Sequence, residues 1–293
     1  MTKPIRTIAV AATLAATIAV RSATVAADID VPAPKATCKN GQIADNVHWI
    51  SGAGFCLAAK TYGDQTAASA NPIVVVIHAD NGGRMGNKFE KIAEKIASDF
   101  HVIAVALLRP GYRRGGNNAD MISEGTAHKN DDDYSRENVD IIAGTLMSLR
   151  GQYPGRKVLL VGSSGGSALS ALVLGIHPHT ADGAVLAGCP CDIPNWRSWR
   201  NASVGNDLFW SRSLSPDHYI EGIPPDTVLV AVNGSEDSNT LPKFADAYIK
   251  AAVAHGVSGA RFFTVPGATH TSVTSAPAFY QAIGEAIDGL AAR

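Results

Sequence analysis

A mostly parallel β-sheet covered by helices on both faces is the α/β fold class this sequence predicts, on three observations. Short apolar runs recur along it: Ile73–Ile77, Val102–Leu108, Val158–Val161, Ala184–Ala187, Val228–Val232 and Arg261–Val265. Segments with apolar residues at helical spacing separate them, and strands alternating with helices pair in parallel through crossover connections. The central runs are continuously apolar, without the in/out alternation of a half-solvated strand, as expected where both faces are buried.

The first 27 residues read as an export signal outside that fold. Lys3 and Arg6 precede a largely apolar run, Ile8–Val20, and Ser22-Ala23-Thr24-Val25-Ala26-Ala27 supplies small residues for cleavage near Ala26 or Ala27. A membrane span needs about 20 apolar residues. The run is shorter than that, and no later segment has the character of a span. Residues 28–293 are expected to form one domain, secreted or periplasmic, in an oxidising compartment that suits its four cysteines. Cys38 and Cys56 could pair with each other. Cys189 and Cys191 would close a very small ring, and three pairings are open.

Composition narrows the function. Of 293 residues, 46% are hydrophobic and 17% charged, enough for a sizeable core. The net charge of −1 comes without any basic block or basic/aromatic interleaving, which disfavours nucleic acid as a partner. No second Cys/His pair falls at zinc-finger spacing, so no metal is expected, and no cofactor is implied.

In chain order, Trp49-Ile50 and Phe55-Cys56-Leu57-Ala58 flank Ser-Gly-Ala-Gly and predict a hairpin. The strand Ile73–Ile77 ends at His78-Ala79-Asp80-Asn81-Gly82-Gly83, and Phe89, Ile92, Ala93 and Ile96 mark the next helix. Val102–Leu108 ends at Arg109-Pro110-Gly111-Tyr112, read as scaffold, and the polar stretch 113–134 is expected to be a surface loop. A helix near 136–149 leads into Val158–Val161. After Ala184–Ala187, residues 193–225 crowd Pro, Ser and three tryptophans and are read as a lid or insertion over the carboxyl edge of the sheet. Val228–Val232 ends in Asn233-Gly234-Ser235-Glu236-Asp237. A helix over 241–255 follows, then Arg261–Val265 with Pro266-Gly267-Ala268-Thr269-His270, and a final helix over 277–290.

The stretch that organises this layout is Gly162-Ser163-Ser164-Gly165-Gly166, between an apolar strand and an apolar helix. A reversal this sharp forces its middle residue into a positive-φ conformation and leaves no room for side chains on either side. It would lift the Ser164 hydroxyl above the strand ends, with a helix N-terminus behind it to favour negative charge. His78, Arg109, Asp192, Asp237 and His270 also follow strand ends, where parallel sheets gather their functional groups. The glycine-rich turn is a poor phosphate loop, because the Lys-Ser/Thr ending is missing.

From about Ile73 onward the chain resembles the α/β-hydrolase family. The resemblance is carried by the Gly-x-Ser-x-Gly elbow, by His78 with Gly82-Gly83 after a strand, by Asn-Gly-Ser-Glu-Asp, and by Pro-Gly-Ala-Thr-His after the last strand. It implies a triad of Ser164, Asp237 and His270, in the family's chain order. Glu236 and Asp192 compete with Asp237 for the acid. It also implies an oxyanion hole from Gly165 N–H and Asp80 N–H, with Ala79 as the fallback. Where that family often has glycine after the loop histidine, this chain has Ala79 and Asp80. A carboxylate there would oppose an oxyanion unless paired or turned away.

The chemistry needs these residue types. A neutral serine hydroxyl is a poor nucleophile until a histidine accepts its proton, and a carboxylate holds the imidazole in the right tautomer. The expected activity is hydrolysis of carboxylic esters through an acyl-enzyme, on a small-molecule ester or a short peptide. A serine peptidase or amidase is the alternative, and a catalytically inactive binding protein on the same scaffold is the third reading.

Overall fold

The computed structural model describes residues 1, 38, 47–66, 71–115, 121–205 and 210–293. The expected signal segment and the linker after it lie outside the described residues, apart from Met1. The chain divides into two units, Met1–Asp30 and Val31–Arg293, and the sheet belongs to the second.

Eight strands form one sheet: β1 (Val47–Gly52), β2 (Phe55–Tyr62), β3 (Ile73–Ile77), β4 (Ile103–Leu107), β5 (Val158–Ser163), β6 (Gly183–Ala187), β7 (Val228–Gly234) and β8 (Arg261–Val265). Their spatial order is β1-β2-β4-β3-β5-β6-β7-β8. The expected hairpin is present as the antiparallel pair β1/β2, and β2 also runs antiparallel to β4. All the other pairings are parallel. β3 to β7 are buried along their whole length except for Ser163 at the end of β5, which is why their central runs are apolar.

Each strand feeds two cores. Ile73, Val75 and Ile77 face one side, where α2 (Arg136–Gln152), α3 (Gly165–Ile176) and α5 (Pro242–Ala254) pack. Val74 and Val76 face the other, under α1 (Lys88–Phe100) and α6 (Pro277–Ala291). The period of two along β3 thus sorts its side chains between the layers.

Residues 193–225 hold α4 (Ile193–Val204) and a 3-10 helix at Pro216–Gly222. Ile193, Trp196, Ile220 and Ile223 of this segment are buried in the first core. The polar stretch 113–134 differs from the expected surface loop. Met121, Ser123, Asp133 and Tyr134 are buried: Ser123 accepts from Ala58 N and donates to Leu108 O, Asp133 accepts from Tyr112 OH, and Tyr134 OH donates to Asp80.

Candidate active site

The elbow explains itself residue by residue. Ser164 has φ 51° and ψ −118°, between the end of β5 and the start of α3. A β-carbon on Gly162 would lie 2.6 Å from Gly166 O, and one on Gly166 would lie 2.2 Å from Ile77 O. Both glycines are therefore required by the close approach of strand and helix. Ser164 N–H donates to Ala187 O at 2.8 Å, which ties the turn to β6.

His270, after β8, and Asp237, after β7, converge on that serine. His270 Nε2 is 3.0 Å from Ser164 Oγ, and His270 Nδ1 is 2.8 Å from Asp237 Oδ2. The Asp237 side chain is fully buried and the His270 side chain is 18% exposed, so the dyad is sheltered while its ring reaches the surface. Asp237 Oδ1 accepts from Asn239 N at 2.9 Å and from Thr240 N at 2.8 Å. Burial pushes the Asp237 carboxyl up. The hydrogen bonds and charge of His270, with those of Thr240, outweigh it and hold the group below its ordinary value. The two competing acids are elsewhere. Glu236 is exposed, and Asp192 caps α4 by accepting from Asn195 N at 3.1 Å.

Thr240 is the residue that sequence reasoning missed here. Its Oγ1 lies 2.9 Å from Asp237 Oδ2, 3.0 Å from His270 Nδ1 and 3.0 Å from Gly188 O. The signal was local: an aspartate whose side chain accepts backbone N–H groups two and three residues on is a turn motif, and Asp237-Ser238-Asn239-Thr240 has that spacing.

Asp80 sits beside the elbow, with its charge paired. Arg109 Nη1 donates to Asp80 Oδ1 at 2.7 Å, and Tyr134 OH donates to Oδ2 at 2.6 Å. Arg109 is almost fully buried, its guanidinium also 3.7 Å from Asp133 and stacked 4.8 Å from the Tyr112 ring. His78 braces the same loop: Nδ1–H donates to Ala79 O at 2.8 Å, and Nε2 accepts from Arg109 N at 3.1 Å. Both ring nitrogens are thereby committed, which suits a structural role and leaves no lone pair for a base.

Beside His270 an apolar cavity of about 190 Å³ lies between β3 and α1, lined by Met85, Phe89, Ile92, Ser163 and Thr274. Lys88 closes its rim by donating to Thr271 O at 2.7 Å. The two disulfides are Cys38–Cys56 and Cys189–Cys191, and the second follows β6 directly. No cluster able to hold a metal ion occurs among the described residues.

Solved structures decide the fold. An esterase of Pyrococcus furiosus superposes with a TM-score of 0.63 at 11% identity, covering 83% of this chain and 89% of that one. The chain has the α/β-hydrolase fold. A proline iminopeptidase of Mycobacterium smegmatis matches this chain with a TM-score of 0.60 at 12% identity, over 84% of this chain and 99% of the other. An enol-lactonase of Burkholderia xenovorans matches with a TM-score of 0.56 at 13% identity, over 82% and 100%. No family model and no curated protein matches. Among the described residues, no helix is long and apolar enough to cross a membrane.

Proposed function

We propose that this chain is an exported serine hydrolase that cleaves carboxylic esters through an acyl-enzyme. The observation that carries the reading is the unbroken hydrogen-bond path from Ser164 Oγ through the His270 ring to Asp237. In this reading His270 Nε2 takes the hydroxyl proton as Oγ attacks the carbonyl carbon, and returns it to the departing alcohol. Asp237 keeps the proton of the neutral ring on Nδ1 and stabilises the imidazolium. Water then attacks the acyl-enzyme by the same proton path in reverse. Gly165 N–H, in the first turn of α3 where amides have no intrahelical acceptor, and Asp80 N–H are the donors proposed for the oxyanion. Two disulfides support an oxidising destination.

The cavity beside His270 supports a small apolar group on the substrate. A cavity of roughly 150 Å³ accommodates benzene, so about 190 Å³ suits a phenyl or short alkyl group. A peptidase with the same triad is the second reading, favoured by the likeness to a proline iminopeptidase. The experiment is fluorophosphonate labelling of the parent chain and of Ser164→Ala, beside a screen of p-nitrophenyl esters of graded chain length and aminoacyl anilides. Labelling confined to the parent, with turnover of short esters, is expected. Turnover of anilides alone would move the assignment to a peptidase, and no labelling with no turnover would leave a binding protein.

A further inference from the structure

Asp80 is the residue that departs most from what an oxyanion loop ordinarily carries, and its surroundings are built around it. Its two carboxylate oxygens are held by separate elements: Oδ1 by Arg109, just past β4, and Oδ2 by Tyr134, just before α2. Both donors are buried, at 1% or less exposure, while Asp80 keeps 16% of its side chain accessible. On the third side the carboxylate rests on the elbow itself. A β-carbon at Gly165 would lie 2.2 Å from Asp80 Oδ1 and 2.4 Å from Oδ2. The ring of His78 adds a fourth restraint by joining the loop carbonyl of Ala79 to the backbone N–H of Arg109.

We propose that Asp80 is a positioning residue whose carboxylate, clamped by Arg109 and Tyr134 and seated on Gly165, fixes the spacing of two oxyanion donors. Those donors are Asp80 N–H and Gly165 N–H, so the proposal rests on the hydrolase reading above. A side chain restrained on three sides also restrains the backbone that carries it, and with it the direction of the Asp80 N–H. The Arg109 guanidinium 2.7 Å away offsets the negative charge that would otherwise oppose the oxyanion. Donors fixed before the reaction cost no reorganisation when charge develops, which is the source of their effect. The anchoring also reaches the tryptophan-rich segment, because Tyr134 N donates to Ser213 Oγ and Tyr134 O accepts from Leu214 N.

The test compares the parent chain with Asp80→Ala, Asp80→Asn and Tyr134→Phe on a short p-nitrophenyl ester. Circular dichroism and thermal melts establish which variants are folded. Asp80→Ala should lower kcat about 10²-fold and Tyr134→Phe about tenfold, each with KM within about threefold of the parent. Asp80→Asn, which keeps an acceptor for Tyr134, should fall between them. A trifluoromethyl ketone that forms a tetrahedral adduct should weaken by the same factor as kcat/KM, because its oxyanion uses the same donors. A merely structural role would not couple inhibitor affinity to turnover in that way. Folded variants with the parent's kcat, or losses confined to KM, would overturn the proposal. Should Asp80→Ala fail to fold, Tyr134→Phe decides, since it keeps the ring and removes one hydroxyl. Failure of the parent itself to label or turn over would instead sink the hydrolase reading, and this proposal with it.

Discussion

The carboxylate of Asp80 rests on the α-carbon of Gly165, so closely that any β-carbon there would fall 2.2 Å from Asp80 Oδ1. Glycine to alanine within a helix ordinarily gains about 0.5–1 kcal/mol. Here the sign should reverse. Gly165→Ala is expected to lose about 1–3 kcal/mol by overpacking against a side chain that Arg109 and Tyr134 hold in place. Urea unfolding of Gly165→Ala, Asp80→Ala and the double variant measures it, and the double variant should recover most of the loss. Simple additivity of the two changes would show that the side chains do not meet.

Arg109 is a buried cation facing two carboxylates, Asp80 at 2.7 Å and Asp133 at 3.7 Å. Burial alone would push its guanidinium down. The neighbouring Tyr112, Asp80 and Asp133 hold it up, so it stays charged. Asp133 shows the opposite balance: burial pushes its carboxyl above the ordinary range despite the attraction of Arg109. Removing the cation strands both acids, and breaking one side of a buried pair costs about 3–5 kcal/mol. Arg109→Leu should therefore destabilise by that order, and Arg109→Leu with Asp80→Leu by distinctly less. A single variant within about 1 kcal/mol of the parent would mean that the pair is solvated.

Thr240 gives the proposed triad a prediction of its own. Thr240→Val keeps the shape and removes a hydroxyl that reaches Asp237 Oδ2, His270 Nδ1 and Gly188 O, each within 3.0 Å. Losing one charge-assisted hydrogen bond of about 1.5 kcal/mol corresponds to about a tenfold fall in kcat. The Asp237 carboxyl would rise, since hydrogen bonds are what hold it down against burial. A carboxyl held low contributes stability above the ordinary carboxylate range and loses it as pH falls through its folded value. The variant should begin to lose stability at higher pH than the parent, and coincident acid-unfolding curves would count against Thr240 as a donor to the acid.

What the sequence displayed and what it hid divide along sequence separation. The strand runs and the elbow glycines were readable because each is a local pattern at a strand end, and Ser164 and His270, each singled out there, lie within hydrogen-bond distance of each other. Asp237 could not be separated from Glu236 and Asp192 by pattern. Geometry separates them: one faces His270, one faces solvent and one caps α4. The pairing of Asp80 with Tyr134 spans 54 residues and leaves no trace in the spacing of either. Residues 113–134 looked like a surface loop because they are polar. Two of their acids, Asp132 and Asp133, are buried as hydrogen-bond acceptors: Asp132 binds the backbone N–H groups of Ser211, Arg212 and Ser213.

His78 sets a pH dependence that its contacts explain. Burial first, then the charge of Arg109, push its imidazole from 6.5 down to about 3, against the hydrogen bond to Ala79 O that favours the charged ring. Protonation would also place a second N–H against the backbone N–H of Arg109, which Nε2 now accepts. Between pH 6.5 and 3 the unfolded chain therefore binds a proton that the native chain refuses. This contribution is present in full above pH 6.5 and is lost as pH falls, by up to about 1.4 kcal/mol per unit. His78→Asn removes the titrating ring. It should be less stable at pH 7, and its unfolding free energy should decline less steeply from pH 6.5 to 5, by about 2 kcal/mol over that interval. Urea titrations at half-unit steps measure both slopes, with the remaining histidines common to the two chains. Parallel slopes would show that the buried ring takes up its proton in the native state.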